Sequence, residues 1–246
     1  MALDIDYMAQ NEKLQKVHAI LQDRNRQFIV IDGLISAGKT TLIKLIENFY
    51  SNRNNNQNNQ LKVKAIFEPV DLWNSTGALK YFYDDIKSNC YEFQTYTYIT
   101  RINSVIDEIY NNPDANIYIL ERSIWTDRYI FMELLRDHVG ELRMKMYNQW
   151  CDLWAYILPM RVDKWVFLDT SVEESIKRIK IRNRNAETNI DVDYQRKLYD
   201  KHIDFYNRLV NSNYPVIKIE SELMNGDFIN NKNILEEIII KIIQSN

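Results

Sequence analysis

The segment from Phe28 to Leu42, FIVIDGLISAGKTTL, constrains this chain more than any other. An apolar run leads straight into Gly33, Leu34, Ile35, Ser36, Ala37, Gly38, Lys39 and Thr40, which satisfy the pattern G-x-x-x-x-G-K-S/T. A continuously apolar strand is buried on both faces, as in a parallel sheet. The glycines let the following loop curl so that its N–H groups point inward at an anion. A helix opening at Lys39 adds the positive end of its dipole. Lys39 is placed to neutralise β- and γ-phosphate oxygens, and the Thr40 hydroxyl to ligate Mg²⁺. Residues 33–41, through Thr41, are therefore the expected triphosphate site. The loop does not name a reaction, because switches, motors and kinases share it.

The rest of the chain alternates in the same way. Strand-like runs stand at 61–68, 116–121, 164–169 and 215–220. Helical patterns fill 12–24, 39–50, 77–111, 123–137, 141–158, a stretch starting near 172, 192–211 and 233–244. This order predicts an α/β fold of the P-loop NTPase type: a doubly wound, five-stranded parallel sheet flanked by helices. The ten residues SNRNNNQNNQ (51–60) hold six Asn and two Gln, and read as a solvated loop insertion. The 246 residues suit one domain, with residues 1–25 as an N-terminal extension. A net charge of −3 supplies no global field for nucleic acid or an anionic membrane. Two cysteines, Cys90 and Cys151, make no disulfide framework and point to a reducing compartment. With no signal or transit pattern and no membrane-length apolar run, the expectation is a cytoplasmic enzyme, with the nucleus also open.

Ligands of parallel sheets gather at the carboxyl ends of the strands, so the residues there matter most. The second strand ends at Glu68, just before a proline. A carboxylate beside the phosphate loop can take a proton from an attacking hydroxyl, although a plain loop carboxylate fits the residue equally well. The third strand ends in Glu121 and Arg122. Glu121 could complete a Mg²⁺ shell, and Arg122 could stabilise the acceptor oxygen or pair with Glu68. After the fourth strand come Arg178, Arg182 and Arg184. A basic run is usually a solvated helix face. Behind a phosphate loop it becomes a candidate lid, spanning 178–190, whose arginines meet a transferring phosphoryl group.

Four further motifs stand in order with the loop: FEPVDLW (67–73), YEFQTY with TR (91–101), ERSIWTDRYIF (121–131) and the Arg-rich RIKIRNRNAE (178–187). Over about residues 27–228 the set resembles the deoxyribonucleoside kinase family, in its deoxycytidine/deoxyguanosine kinase branch. The resemblance implies ATP as phosphoryl donor, Mg²⁺, a small-molecule deoxynucleoside as acceptor, and a homodimer built on helices 77–111 and 141–158 with Trp150 and Trp154. It makes Glu68 the base for the 5′-hydroxyl, with Arg122 beside it, and Glu121 and Thr40 the magnesium contacts. Tyr83 and Glu187 take the sugar 3′-hydroxyl, and Gln94 grips the base edge. Trp73, Phe93 and Phe131, with Ile35 at the loop, wall the nucleoside. Asp227 and Phe228 belong to a loop that cups the donor's base.

Arg101 and Asp127 hold the two positions that divide this family by base. An ionised Asp127 accepts from an exocyclic amino group, and Arg101 donates to a ring nitrogen or to O6 of guanine. The pair favours deoxyadenosine, deoxyguanosine or deoxycytidine over thymidine. The alternative is a structural ion pair with no reading role. Asp32 and Leu34 depart from the family's usual Glu and Asn, and neither is required for cradling phosphate. Two other readings compete. A thymidylate-like monophosphate kinase shares the loop and lid but usually carries Arg where Phe67 stands. A silent nucleotide-binding subunit would not need Lys39, Glu68 and Glu121 together.

Overall fold

The computed structural model describes residues 2–54, 61–183, 190–221 and 232–244. Five strands form one parallel sheet in the order β2-β3-β1-β4-β5. They are β1 (Gln27–Gly33), β2 (Val63–Ile66), β3 (Ile117–Glu121), β4 (Lys164–Asp169) and β5 (Val216–Glu220). Side chains alternate along β1, and each face has its own core. Phe28 and Val30 meet Tyr118, Leu120 and, from α5 (Ile86–Asn111), Ile102, Val105 and Ile109. Ile29 and Ile31 meet Ile119, Val166 and, from α2 (Lys39–Asn54), Leu42, Ile43 and Ile46. Each such side chain contributes about 1.5–3 kcal/mol by leaving water. The last helix, α11 (Lys232–Gln244), closes this second face with Ile239, Ile242 and Ile243. The first, α1 (Ala2–Gln22), buries Val17 and Leu21 in the opposite core. It starts well before the expected residue 12, and the segment read as an extension therefore contributes to the core.

Several boundaries differ from the sequence pattern, each for a local reason. Helix α2 runs through 51–54, where a loop was expected. Arg53 holds this last turn, with its guanidinium 4.5 Å from the Phe49 ring and 2.6 Å from Glu236 on α11. Residues 55–60 of the Asn-rich run lie outside the described residues. Strand β2 is shorter than 61–68. The Asn116 side chain takes the Lys62 N–H at 2.8 Å, and Pro69 has no N–H with which to continue a ladder. The expected helix 77–111 is two helices, α4 (Ala78–Asp84) and α5, preceded by an unforeseen α3 (Val70–Ser75). Asp85 separates them at φ −153°, and its carboxylate caps the Ser88 N–H.

The expected helix 123–137 is also divided. Ser123 caps α6 (Ile124–Thr126), a π-helical turn covers Asp127–Met132, and α7 is Arg136–Val139. A π turn widens the helix by a residue and re-aims what it carries. The remaining helices, α8 (Glu141–Ile157), α9 (Val172–Arg182) and α10 (Val192–Asn211), match their expected positions. No helix among the described residues is long and apolar enough to cross a membrane.

Candidate active site

The carboxyl edge of the sheet opens into a cavity of about 920 Å³. Residues 35–41 of the loop line one half. Trp73, Tyr83, Phe93, Gln94, Arg101, Asp127 and Phe131 line the other. Glu68, Glu121 and Arg122 line the same cavity, as do Arg178 and Arg182 of α9.

Backbone makes the loop half. Gly33 has φ 145°, and a Cβ there would lie 2.5 Å from the Leu168 carbonyl oxygen of β4. Its lack of a side chain therefore serves strand packing, and Gly33 does not line the cavity. Leu34 does not line it either: its side chain is fully buried in the core, and its carbonyl accepts from Lys39 Nζ at 2.8 Å. Ser36 sits in the left-handed region at φ 60°, with its hydroxyl oxygen buried and without a protein partner. That atom and the inward loop suit an anion. Burial draws the Lys39 ammonium down to about 8, with Arg122 adding to the effect and Glu121, Glu68 and Asp32 opposing it. The Thr40 hydroxyl donates to Glu121 Oε1 at 2.7 Å. One hydroxyl and one carboxylate suit a hard cation that takes its other oxygens from phosphate and water.

Helix α9 starts at Ser171, whose hydroxyl accepts from the Glu174 N–H. Arg178 reaches back from it to the loop, donating to the Ala37 carbonyl at 3.2 Å, Glu174 at 2.8 Å and the Ser221 carbonyl at 3.2 Å. Arg184, Glu187, Asp227 and Phe228 lie outside the described residues.

Side chains from separated elements make the other half. Phe93 stacks on Phe82 at 4.4 Å and meets Trp73 edge-on at 6.1 Å. The Trp73 indole N–H donates to Thr100 at 2.9 Å, which fixes the ring. Gln94 is buried on the inner face of α5. Arg101, two turns on, grips Asp127 with Nε at 2.7 Å and Nη2 at 3.1 Å. The same Nη2 donates to Glu68 Oε1 at 2.8 Å, and Nη1 to the Glu121 carbonyl at 3.0 Å. Burial pushes the Asp127 carboxyl up, against the pull of Arg101. Two donors on its two oxygens keep it an acceptor.

Glu68 lies between two guanidiniums, with Arg122 Nε 3.4 Å away on the other side. Burial alone would raise its pKa. Arg122, Arg101 and Lys39 outweigh burial and hold Glu68 below the usual carboxylate range. Arg122 is backbone-strained at φ 62° and packs over the Phe131 ring at 4.8 Å. Its Nη1 donates to Asp32 Oδ1 at 2.9 Å. Asp32 also accepts from Thr126 at 2.6 Å and from the Gly33 N–H at 2.8 Å. Burial works against the Asp32 charge, but the Arg122 guanidinium and the Thr126 hydroxyl hold its pKa far below the usual range.

The sequence reading passed over several of these residues. Asp32 was set aside as unneeded, yet it ends an apolar strand as Glu121 does, and the same rule would have found it. Thr97 lines the cavity one turn after Gln94. Tyr194, also on the cavity wall, left no signal in the sequence.

Comparison with known proteins agrees with this geometry. Residues 29–245 match the family described as deoxynucleoside kinase. The fowlpox virus (strain NVSL) protein named "Probable deoxycytidine kinase FPV151" is 31% identical over 87% of this chain and 86% of its own. The deoxyadenosine kinase of Dictyostelium discoideum is 31% identical over 78% of this chain and 71% of its own. The mitochondrial deoxyguanosine kinase of Xenopus laevis is 25% identical over 82% and 86%. With the phosphate loop, the parallel sheet and a match over most of its length, the chain belongs to the deoxynucleoside kinase family.

Proposed function

We propose that this enzyme transfers the γ-phosphate of ATP, or another nucleoside triphosphate, to the 5′-hydroxyl of a deoxynucleoside bearing an amino group on its base. One observation carries the reading: the phosphate loop and the aromatic, Arg101–Asp127 half share a single cavity, and Glu68 stands where they meet. The three relatives' names differ in base, so the base preference is argued from the site. Asp127 keeps lone pairs for an exocyclic amino group, and Arg101 keeps one donor, on Nη1, in the same plane. Thymine offers a carbonyl and a methyl group instead. Trp73, Phe93 and Phe131 wall the ring, and Tyr83 takes the sugar.

Glu68, ionised and flanked by two arginines, orients the 5′-hydroxyl and accepts its proton as the bond to phosphorus forms. Arg122 and the α9 arginines meet charge on the transferring group. Lys39 neutralises the donor's phosphates. Thr40 and Glu121 would hold Mg²⁺, which would supply positive charge against the donor's phosphates. The chemistry is mostly positioning and charge stabilisation.

The same reading includes one domain over 1–246 and a homodimer through α8. That helix exposes Leu142, Met146, Trp150, Leu153 and Tyr156, spaced along one face. Trp154, expected beside Trp150, is half-buried against the core. Light scattering after size exclusion should give twice the chain mass, and a single chain mass would remove the dimer. The reaction itself is tested with ATP, Mg²⁺ and two sets of acceptors. Free deoxynucleosides should be turned over, and dCMP, dGMP and TMP should not. Turnover confined to the monophosphates would overturn the proposal.

A further inference from the structure

The reaction above uses Arg122 but does not explain what holds it. A left-handed backbone at a non-glycine residue costs on the order of 1–3 kcal/mol and persists only where the surroundings over-determine it. The Arg122 N–H is tied to the Ile31 carbonyl at 3.0 Å. Its guanidinium has Asp32 on one side of Nη1 and, 3.2 Å away, Nε2 of His202.

His202 lies on α10, buried at 1% exposure. Its Nδ1 is 2.8 Å from the Leu198 carbonyl oxygen. A carbonyl only accepts, so Nδ1 carries the proton. Nε2 then has two neighbours, Arg122 Nη1 at 3.2 Å and Asp32 Oδ1 at 3.3 Å. Charged groups reach the ring from β1 (Asp32) and from the end of β3 (Arg122). The π turn and β4 offer only the Phe131 and Phe167 rings. A protonated Nε2 would face the guanidinium with like charge. A neutral ring offers it a lone pair, and burial favours the neutral ring.

We propose that neutral His202 is a positioning residue: Nε2 accepts from Arg122 and, with Asp32, sets the angle at which Arg122 presents Nε to Glu68. It touches no substrate and acts through Arg122. The assignment rests on Glu68 being the base in the proposed reaction.

The direct test reads the ring itself. In protein labelled with ¹⁵N-histidine, one of the three histidines should show protonated Nδ1 and bare Nε2 at pH 7. That signal should disappear in His202→Phe. A ring protonated at Nε2 at pH 7 overturns the proposal. The kinetic test compares His202→Phe, which keeps the volume, with His202→Gln, whose amide oxygen can reach the place of Nε2. His202→Phe should lose on the order of 10–100-fold in kcat, and its KM for nucleoside should stay within about threefold. His202→Gln should recover most of that loss. If His202→Phe does not fold, His202→Gln and the ring spectrum still decide. A folded His202→Phe with wild-type kcat, or equal losses in both variants, overturns the inference alone. Wild-type protein that phosphorylates no deoxynucleoside overturns the proposed function, and with it the catalytic part of this inference.

Discussion

The two halves of the cavity are built on different principles. The loop half is one contiguous segment, strand, loop and helix, whose charged group, Lys39, rests on a carbonyl of its own loop. The nucleoside half gathers side chains from α3, α4, α5, β3 and the π turn. A buried chain of charges, Asp127–Arg101–Glu68–Arg122–Asp32, holds it together. On the proposed reading the first half takes the triphosphate, and the fixed donors and acceptors of the second select the acceptor. Glu68 belongs to the charge chain and lines the same cavity as the loop.

The sharpest way to break this contrast is Glu68→Gln. The amide keeps the shape and some hydrogen bonding but is a far poorer proton acceptor. Nucleoside binding should stay near wild type by calorimetry, and kcat should fall by about 10²–10⁴. Retained turnover would remove Glu68 from the chemistry and leave it a structural partner of the two arginines.

Arg101→Leu comes next. It leaves Asp127 without two donors and Glu68 and the Glu121 carbonyl without one each, and breaking a buried pair this way costs about 3–5 kcal/mol. The melting temperature should fall by many degrees. The double variant with Asp127→Leu should recover part of the loss, since the buried Asp127 carboxylate is then gone. Additive losses would show that the two side chains do not act as a unit.

The smallest effect distinguishes the halves by their response to ligand. Lys39 titrates at about 8 in the ligand-free protein. Phosphate oxygens favour its charged form, so bound ATP raises that value. At pH 8 about half of the molecules must gain a proton on binding, and at pH 6.5 almost none. Calorimetry in buffers of different ionisation enthalpy should read about half a proton taken up at pH 8. An absence of uptake there would place Lys39 away from the phosphates.

The same contrast explains what could be read from the sequence. The loop half was legible because its chemistry is local: spacing alone placed Lys39 and Thr40. The sheet was legible because strand and helix alternate. The pairing of Glu68 with Arg101 was not foreseen, and only Arg122 was considered as its partner. Arg101 stands 33 residues away, beyond two helices and inside a third, so no periodicity relates the two. His202 stands 170 residues from Asp32, so only the fold sets the two side by side. The π turn left no trace, because one extra residue per turn does not disturb a short apolar pattern. The break at Asp85 was concealed by helical spacing on both sides, although an Asp three residues before a Ser is a capping arrangement.

The central claim is that a phosphate site open to any triphosphate meets a nucleoside site whose Arg101–Asp127 pair selects an amino-bearing base. It is tested most directly by kcat/KM for deoxyadenosine, deoxyguanosine, deoxycytidine and thymidine with the wild-type enzyme. A buried polar group left unmatched costs about 1–3 kcal/mol, so the best amino-bearing substrate should exceed thymidine by roughly 5–150-fold. Thymidine as the best substrate would contradict the account.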